Sequence, residues 1–459
     1  MKLLVKDIVN ICNGKLFCGD ENIVCNSFTK DTRSLTKGDV YLGIKGTNFD
    51  GNNLYQEAFE KGACACILEE KSFIKDDTYH YNKPIILVSN ARKALRDLGV
   101  YIRNNSKAKF IGITGSVGKT STKDMIYSTL SKSYKTLKTE GNYNNDLGVP
   151  LTLLRLSDEE CAVIEMGMNN LGEIDYLTNI VKPHIAVITN VGTAHIGNLG
   201  SRENILKAKL EIKNGLVENG ILIINNDNDL LHEYYLNNSK NILTIGINNE
   251  SDIMAKDISI DNNGAKFNLV YKNNTYKVLC KVPSISFVYN SLVAFAVGTL
   301  LDMEPNKIIL GIKDLTLTNN RLEFIDTPSN IHIINDCYNA SVDSMKSSLD
   351  ILKLSKKRKI ACLGSMLELG EYSVKLHEEV GKYVADNKID ILITVGEDAK
   401  YIASSALKNG IKKENIFTFD TLTDAINKLN EILKPDDTLL VKASNALRFS
   451  EIVHSIKDI

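Results

Sequence analysis

A short apolar run, Phe110-Ile111-Gly112-Ile113, leads straight into Thr114-Gly115-Ser116-Val117-Gly118-Lys119-Thr120-Ser121, and a helical pattern begins at once. Few arrangements accept that order: a buried strand, a glycine-bearing loop, and a helix whose N-terminus faces the loop. Gly115 and Gly118 let successive N–H groups converge on a phosphate. Lys119 has the reach to meet terminal phosphates, and Thr120 can offer a hydroxyl to Mg²⁺. The strict phosphate-loop pattern places a glycine where this chain has Ile113, so the first glycine is displaced to Gly115. The alternative is an ordinary strand-to-helix turn that happens to carry a lysine. The strand–loop–helix context weighs against it, and the expectation is an ATP-consuming enzyme.

The chain has 459 residues, more than one hydrophobic core usually serves. The spacing of apolar runs suggests three units, 1–105, 106–320 and 321–459. The first mixes short strands (Val40–Ile44, Ile85–Val88) with helical stretches from Asn53 to Gly62 and Ala91 to Arg103. The second has runs at Phe110–Ile113, Ala162–Ile164, Ile185–Thr189 and Ile221–Ile224, typical of buried parallel strands. Phe267–Tyr271 and Tyr276–Leu279 flank Asn273-Asn274 and predict a hairpin; Ser291–Leu301 predicts a buried helix. The third repeats the alternation, with strands expected at Ile331–Ile334, Ile360–Leu363, Ile391–Val395, Ile416–Phe419 and Thr438–Val441. The fold class is α/β throughout. A small N-terminal α/β domain precedes a central doubly wound, mostly parallel sheet, and a C-terminal Rossmann-like sheet follows.

Lys plus Arg total 55 and Asp plus Glu 56, so no basic field exists to hold a polyanion and nucleic-acid binding is not expected. The nine cysteines form no CxxC pair, which suits a reducing compartment. The first residues lack the apolar core of a signal peptide. The longest apolar stretch, Leu292–Leu301, is about half a membrane span. A cytoplasmic location without membrane insertion is expected.

In doubly wound sheets ligands bind beyond the carboxyl ends of the strands. Glu165, Asn190, His195 and Asp336 lie at or just after such ends. Glu165 is suited to a hard cation beside the nucleotide, and His195 to a metal or a substrate contact. Each is also a common kind of strand-end polar residue. Lys209, in Lys207-Ala208-Lys209-Leu210-Glu211, reads from spacing alone as part of a solvated helix face.

Taken in order from Asp31 to about Val453, these motifs resemble the Mur ligases, the ATP-dependent amide-forming enzymes of peptidoglycan precursor synthesis. The resemblance implies that Asp31-Thr32-Arg33, with Gly38-Asp39 and the segment Gly46-Thr47-Asn48-Phe49-Asp50-Gly51, belongs to a UDP-sugar-binding region. Thr114 to Ser121 matches the family's ATP loop, displaced glycine included. Asn142, Asn144 and Asn145, within Gly141 to Pro150, resemble a substrate loop. Glu165-Met166-Gly167 resembles the Mg²⁺-binding segment, and Ala194-His195 the position of a second-metal histidine. Lys209 matches a lysine that is carbamylated in related ligases. Asn290, Arg321-Leu322-Glu323 and Asp336 resemble nucleotide-side positions. Tyr338-Asn339-Ala340, with Ser344-Met345 and Gly364 to Gly370, resembles the members that take D-alanyl-D-alanine and a UDP-N-acetylmuramoyl-tripeptide. Ser365, Tyr289, Ala443 and Asn445 depart from the usual residues.

The resemblance implies that Lys119, Glu165, His195 and Lys209 serve catalysis, with Thr120, Glu165 and His195 holding two Mg²⁺ ions. ATP would convert a carboxylate to an acyl phosphate that the dipeptide amine attacks. It further implies a monomer. The competing readings are a sister ligase adding a single amino acid, of Mur or folylpolyglutamate type, and a regulatory P-loop NTPase. The Tyr338-Asn339-Ala340 segment argues against the first, and the polar strand ends of the third unit against the second.

Overall fold

The computed structural model describes residues 2–47, 49–70, 73–74, 82–318 and 320–458, so Asn48 of the Gly46–Gly51 motif lies outside the described residues. Three large sheets follow one another along the chain. The first has five strands in the spatial order Lys15–Cys18, Ile85–Leu87, Ala65–Leu68, Asp39–Leu42 and Ser27–Thr29. Only its first pair is antiparallel. The helical stretch expected from Asn53 is a 3₁₀ turn, Gly51–Leu54, followed by the α-helix Tyr55–Glu60. It stops at Gly62, whose φ of +105° suits a residue without a Cβ.

The second sheet carries nine strands. Thr136–Lys138, Cys161–Glu165, Lys109–Thr114, Ile185–Ile188, Ile221–Asn225 and Ile242–Gly246 run parallel, in that spatial order. The middle strands are buried on both faces, which is why they read as unbroken apolar runs. Ile253–Asp261, Gly264–Tyr271 and Asn274–Cys280 then continue the sheet as an antiparallel meander. The predicted hairpin is there. Lys272 and Asn273 take φ values of +45° and +63°, the pair of left-handed residues that a tight type I′ turn requires. The buried helix begins at Ile285 instead of Ser291, because the Ser284 hydroxyl accepts from Ser286 N–H and caps it there.

The third sheet has six strands, ordered Glu323–Asp326, His332–Asn335, Thr438–Lys442, Lys359–Gly364, Ile391–Val395 and Ile416–Phe419. All pairs are parallel except the first. That antiparallel edge strand, Glu323–Asp326, was not expected from the sequence; it is solvent-facing and charged, so no apolar run marks it.

Helix Ala91–Asn105 connects the first sheet to the second and packs on the latter. Gly99 admits Pro150, and Arg103 donates to the carbonyls of Val181 and Lys182 while lying over the Phe110 ring. The carboxyl ends of the second and third sheets face one another, and the segments leaving them enclose a cleft.

Candidate active site

Strand Lys109–Thr114 delivers the phosphate-type loop, and helix Lys119–Leu130 leaves it. Gly118 has φ +84°. Gly115 has φ +153°, and a Cβ there would fall 1.8 Å from Thr189 Oγ1. The displaced glycine is therefore enforced by the neighbouring strand's exit. Asn190 holds the loop open. Its Oδ1 accepts from Val117 N–H at 2.9 Å, and its carbonyl from Ser116 N–H at 3.1 Å. Thr189 Oγ1 donates to the Val117 carbonyl, and Ser116 Oγ accepts from Gly192 N–H.

At the loop's exit the Thr120 hydroxyl donates to Glu165 Oε2 at 2.9 Å and accepts from Arg321 Nη2 at 3.0 Å. Asn144 Nδ2 donates to the other carboxylate oxygen of Glu165 at 2.8 Å. Arg321 stacks over Tyr338, its guanidinium carbon 3.9 Å from the ring centroid, and its Nε has no hydrogen-bond partner among the described residues. Thr120, Glu165, Asn144, Arg321 and Tyr338, drawn from well-separated parts of the chain, thus meet at one place.

A cavity of about 300 Å³ opens beside this group and is lined by its Thr120 and Arg321. One wall is Ser116 to Thr120 with His195; the other is Asn339, Ser341, Leu367, Glu368 and Ser444 from the third sheet. A second cavity, about 480 Å³, lies behind the loop and is lined by Gly118, Asn190, Asn290, Tyr289 and Asp343 among others. Asn290 Oδ1 accepts from Thr122 Oγ1, and Tyr289 OH donates to Asp227.

The electrostatics are those of a charge-poor interior. Burial pushes the Lys119 ammonium below its ordinary range, against the pull of Glu165. Its Nζ donates to the Gly115 carbonyl at 2.8 Å. Lys209 is buried, not on a solvated helix face as its charge pattern suggests. Burial, reinforced by the Lys119 cation, pushes its amine well below the lysine range. His195 is lowered by burial and by Lys119, while Glu368, whose Oε2 is 2.6 Å from His195 Nδ1, pulls the other way.

Not every expected residue reaches the cleft. Asp336 is buried and paired with Lys442, and also accepts from Ser348 and from Leu322 N–H, so its carboxylate is engaged in building the third sheet's floor. Asn145 accepts from Gly148 N–H at the start of the helix Gly148–Leu154. Asn142 is exposed, and its carbonyl accepts from Asn144 N–H. Asp31 and Arg33 pair with each other beyond strand Ser27–Thr29, away from the cleft lining, and Arg33 holds the Asp31 carboxyl at about 2; Thr32 is buried beside them. Ser365 accepts from Ala399 N–H, a local structural bond. His377 Nε2 accepts from Met366 N–H while Nδ1 donates to the Ser373 carbonyl, which pins the Gly364–Gly370 loop.

Two residues escaped sequence reasoning. Glu368 had only its place in that loop to mark it. Asp124 lies in the phosphate-loop helix, fully buried, and accepts from Lys138 Nζ and from both the N–H and the hydroxyl of Thr318. Its acidic character in an otherwise buried helical face was the available signal. Among the described residues, no three or more His, Cys, Asp or Glu side chains group as a cation site. No helix among them is long and apolar enough to cross a membrane.

Comparison with known proteins adds the following. The pattern of the Mur ligase middle domain matches residues 113–298, and that of the Mur ligase glutamate ligase domain matches residues 320–445. The chain is 36% identical to the UDP-N-acetylmuramoyl-tripeptide–D-alanyl-D-alanine ligase of Bacillus subtilis, across 99% of this chain and 98% of that protein. Its structure is similar to a crystal structure of MurF from Acinetobacter baumannii, with TM-score 0.88, 30% identity, and coverage of 100% and 99% of the two chains. It is also similar to MurF ligase from Thermotoga maritima in complex with ADP, with TM-score 0.80 and 28% identity over 94% of this chain and 97% of that one.

Proposed function

The chain belongs to the Mur ligase family, and we propose that within it this protein joins D-alanyl-D-alanine to UDP-N-acetylmuramoyl-tripeptide in an ATP-dependent reaction. The observation that carries this reading is the meeting of Thr120, Glu165, Asn144, Arg321 and Tyr338 beside the phosphate loop, under a cleft walled by two sheets. Units 1–105, 106–320 and 321–459 serve in turn the UDP-sugar, the nucleotide and the incoming amine.

The loop N–H groups and Lys119 take the phosphates, and the cavity behind the loop, with Asn290, takes the nucleoside. The tripeptide's terminal carboxylate attacks the γ-phosphorus, the bond to the β-phosphate oxygen breaks, and ADP leaves with an acyl phosphate formed. The free amine of D-alanyl-D-alanine then adds to the acyl carbon. The tetrahedral adduct loses inorganic phosphate and a proton to give the amide. We assign Asn144, Arg321, Tyr338 and Asn339 to holding the reacting carboxylate and the dipeptide. Asp31, Thr32 and Arg33 belong to the UDP-sugar end.

The oxygen donors of Thr120 and Glu165 suit Mg²⁺ and would hold it beside the phosphates. When bound, Mg²⁺ supplies charge neutralisation on the transferred group. His195 is assigned to a second ion. Lys209, buried and with its amine held well below the lysine range by burial and by Lys119, fits carbamylation, which would turn it into an oxyanion on that side. A nucleotide-linked substrate and ATP place the reaction in the cytoplasm, and we infer a monomer.

The test is ADP release by purified protein with ATP, Mg²⁺, the UDP-linked tripeptide and the dipeptide. Multiple-turnover ADP release should require both organic substrates, and replacing D-alanyl-D-alanine with single amino acids should abolish product. Sustained ADP release with ATP and Mg²⁺ alone, in the absence of both organic substrates, defeats the assignment.

A further inference from the structure

Glu368 and His195 meet from different sheets. His195 follows strand Ile185–Ile188 of the second; Glu368 follows strand Lys359–Gly364 of the third. Both hold left-handed backbone, φ +64° in each, although neither is glycine. Such a conformation costs about 1 kcal/mol or more per residue and persists only where the surroundings impose it. The backbones around the pair are fitted to one another as well. Gly197 N–H donates to the Glu368 carbonyl at 3.2 Å. A Cβ on Gly197 would stand 2.7 Å from that carbonyl and 2.8 Å from Gly370 N, so only glycine lets the two segments approach. Tyr372 OH, just beyond, donates to the Gly200 carbonyl at 2.8 Å.

A histidine that binds a metal through one ring nitrogen donates from the other to a fixed acceptor, and that acceptor chooses the tautomer. Here the acceptor on Nδ1 is Glu368 Oε2, at 2.6 Å. The proton is then on Nδ1, and the lone pair on Nε2. The donor and acceptor lie on opposite walls of the same cleft.

We propose that Glu368 is a positioning residue for His195: its carboxylate, brought in by the third sheet, sets the imidazole with Nε2 free for a divalent cation. His195 thereby becomes a competent ligand when the third sheet stands over the phosphate loop, and metal loading is coupled to closure. The inference rests on the assignment of His195 as a metal ligand and adds the residue that prepares it.

The experiment uses the full chain with Mn²⁺, a β,γ-methylene ATP analogue and the UDP-linked tripeptide. Electron paramagnetic resonance counts bound Mn²⁺, and electron spin echo modulation reports nitrogen bonded to it. Two Mn²⁺ per chain are expected, one with a nitrogen signature that His195→Ala removes. Glu368→Ala should weaken that ion about 10- to 100-fold and leave the other unchanged. Glu368→Gln, whose amide oxygen still accepts from Nδ1, should restore binding to within a few-fold. If Glu368→Ala keeps the nitrogen-coupled ion at wild-type affinity, the positioning role is overturned while the ligand assignment stands. If wild-type protein shows no nitrogen signature, or His195→Ala retains it, the ligand assignment itself fails and the inference falls with it.

Discussion

At the scale of the residue, Lys119, half-buried in the phosphate loop, and Lys209, fully buried, are two amines with different work. Lys119→Ala is expected to lower kcat by about 10²- to 10³-fold, the usual loss for one preorganised donor to developing charge. Its melting temperature should not fall below wild type, because burial already holds the Lys119 amine below its ordinary range and its one acceptor among the described residues is the Gly115 carbonyl. Lys209→Met should behave in the opposite way, losing activity but gaining stability. As pH falls, the unfolded lysine takes up a proton while the folded amine, held well below its ordinary range by burial and Lys119, resists. The unfolded state then binds more protons, so wild-type stability declines with falling pH. Methionine has no such dependence. Thermal melts in carbonate-free, Mg²⁺-free buffer should show the gain over wild type growing from pH 10 to pH 7. The sequence displayed Gly115, Gly118, Lys119 and Thr120 outright, because the loop's chemistry is local. It concealed the reason for Gly115, a contact with Thr189 made across the sheet. It also misrepresented Lys209, since alternating charge does not reveal which helix face is covered.

At the scale of the element, helix Lys119–Leu130 carries more than the loop. Asp124 ties it to Lys138 and to Thr318, in the segment that leads to Arg321. Lys123 is also fully buried, 3.6 Å from Asp124, and its Nζ makes no hydrogen bond among the described residues. Removing one partner of a buried charged group costs about 3–5 kcal/mol. Asp124→Ala should therefore lower the urea midpoint strongly. The double variant Lys123→Met/Asp124→Ala should recover part of that loss, since it also removes the stranded ammonium. Equal midpoints for the single and double variants would show that the two charges are independent. Parallel strands were legible as elements because burial on both faces leaves unbroken apolar runs. The edge strand Glu323–Asp326 left none, being exposed and charged. The start of the buried helix was missed because its apolar pattern has no polar face to mark the first turn, and the cap at Ser284 settles it.

At the scale of the whole molecule, the site exists only where two sheets face each other, and that juxtaposition is what the sequence reveals least. The sequence places Glu165 at a strand end and Tyr338 only in a resembling segment, but their meeting through Thr120 and Arg321 depends on how the third sheet docks. Asp336, also at a strand end, turned inward to Lys442, because a strand's exit can serve the floor as well as the cleft. The docking has a kinetic consequence. With ATP and the UDP-linked tripeptide but no dipeptide, the closed cleft should shelter the acyl phosphate from water. Rapid-quench measurements should then show a burst of about one ADP per chain followed by near arrest. Linear release at the full rate would mean that the cleft does not exclude water. Lys209 carries the last consequence. An amine that burial holds well below its ordinary range suits the carbamylation proposed above, and a carbamate there would exchange with carbon dioxide in the surrounding medium. Protein held under argon in degassed buffer should fade in activity over time and recover when air enriched in carbon dioxide is readmitted, so the headspace above the tube belongs among the enzyme's reaction conditions.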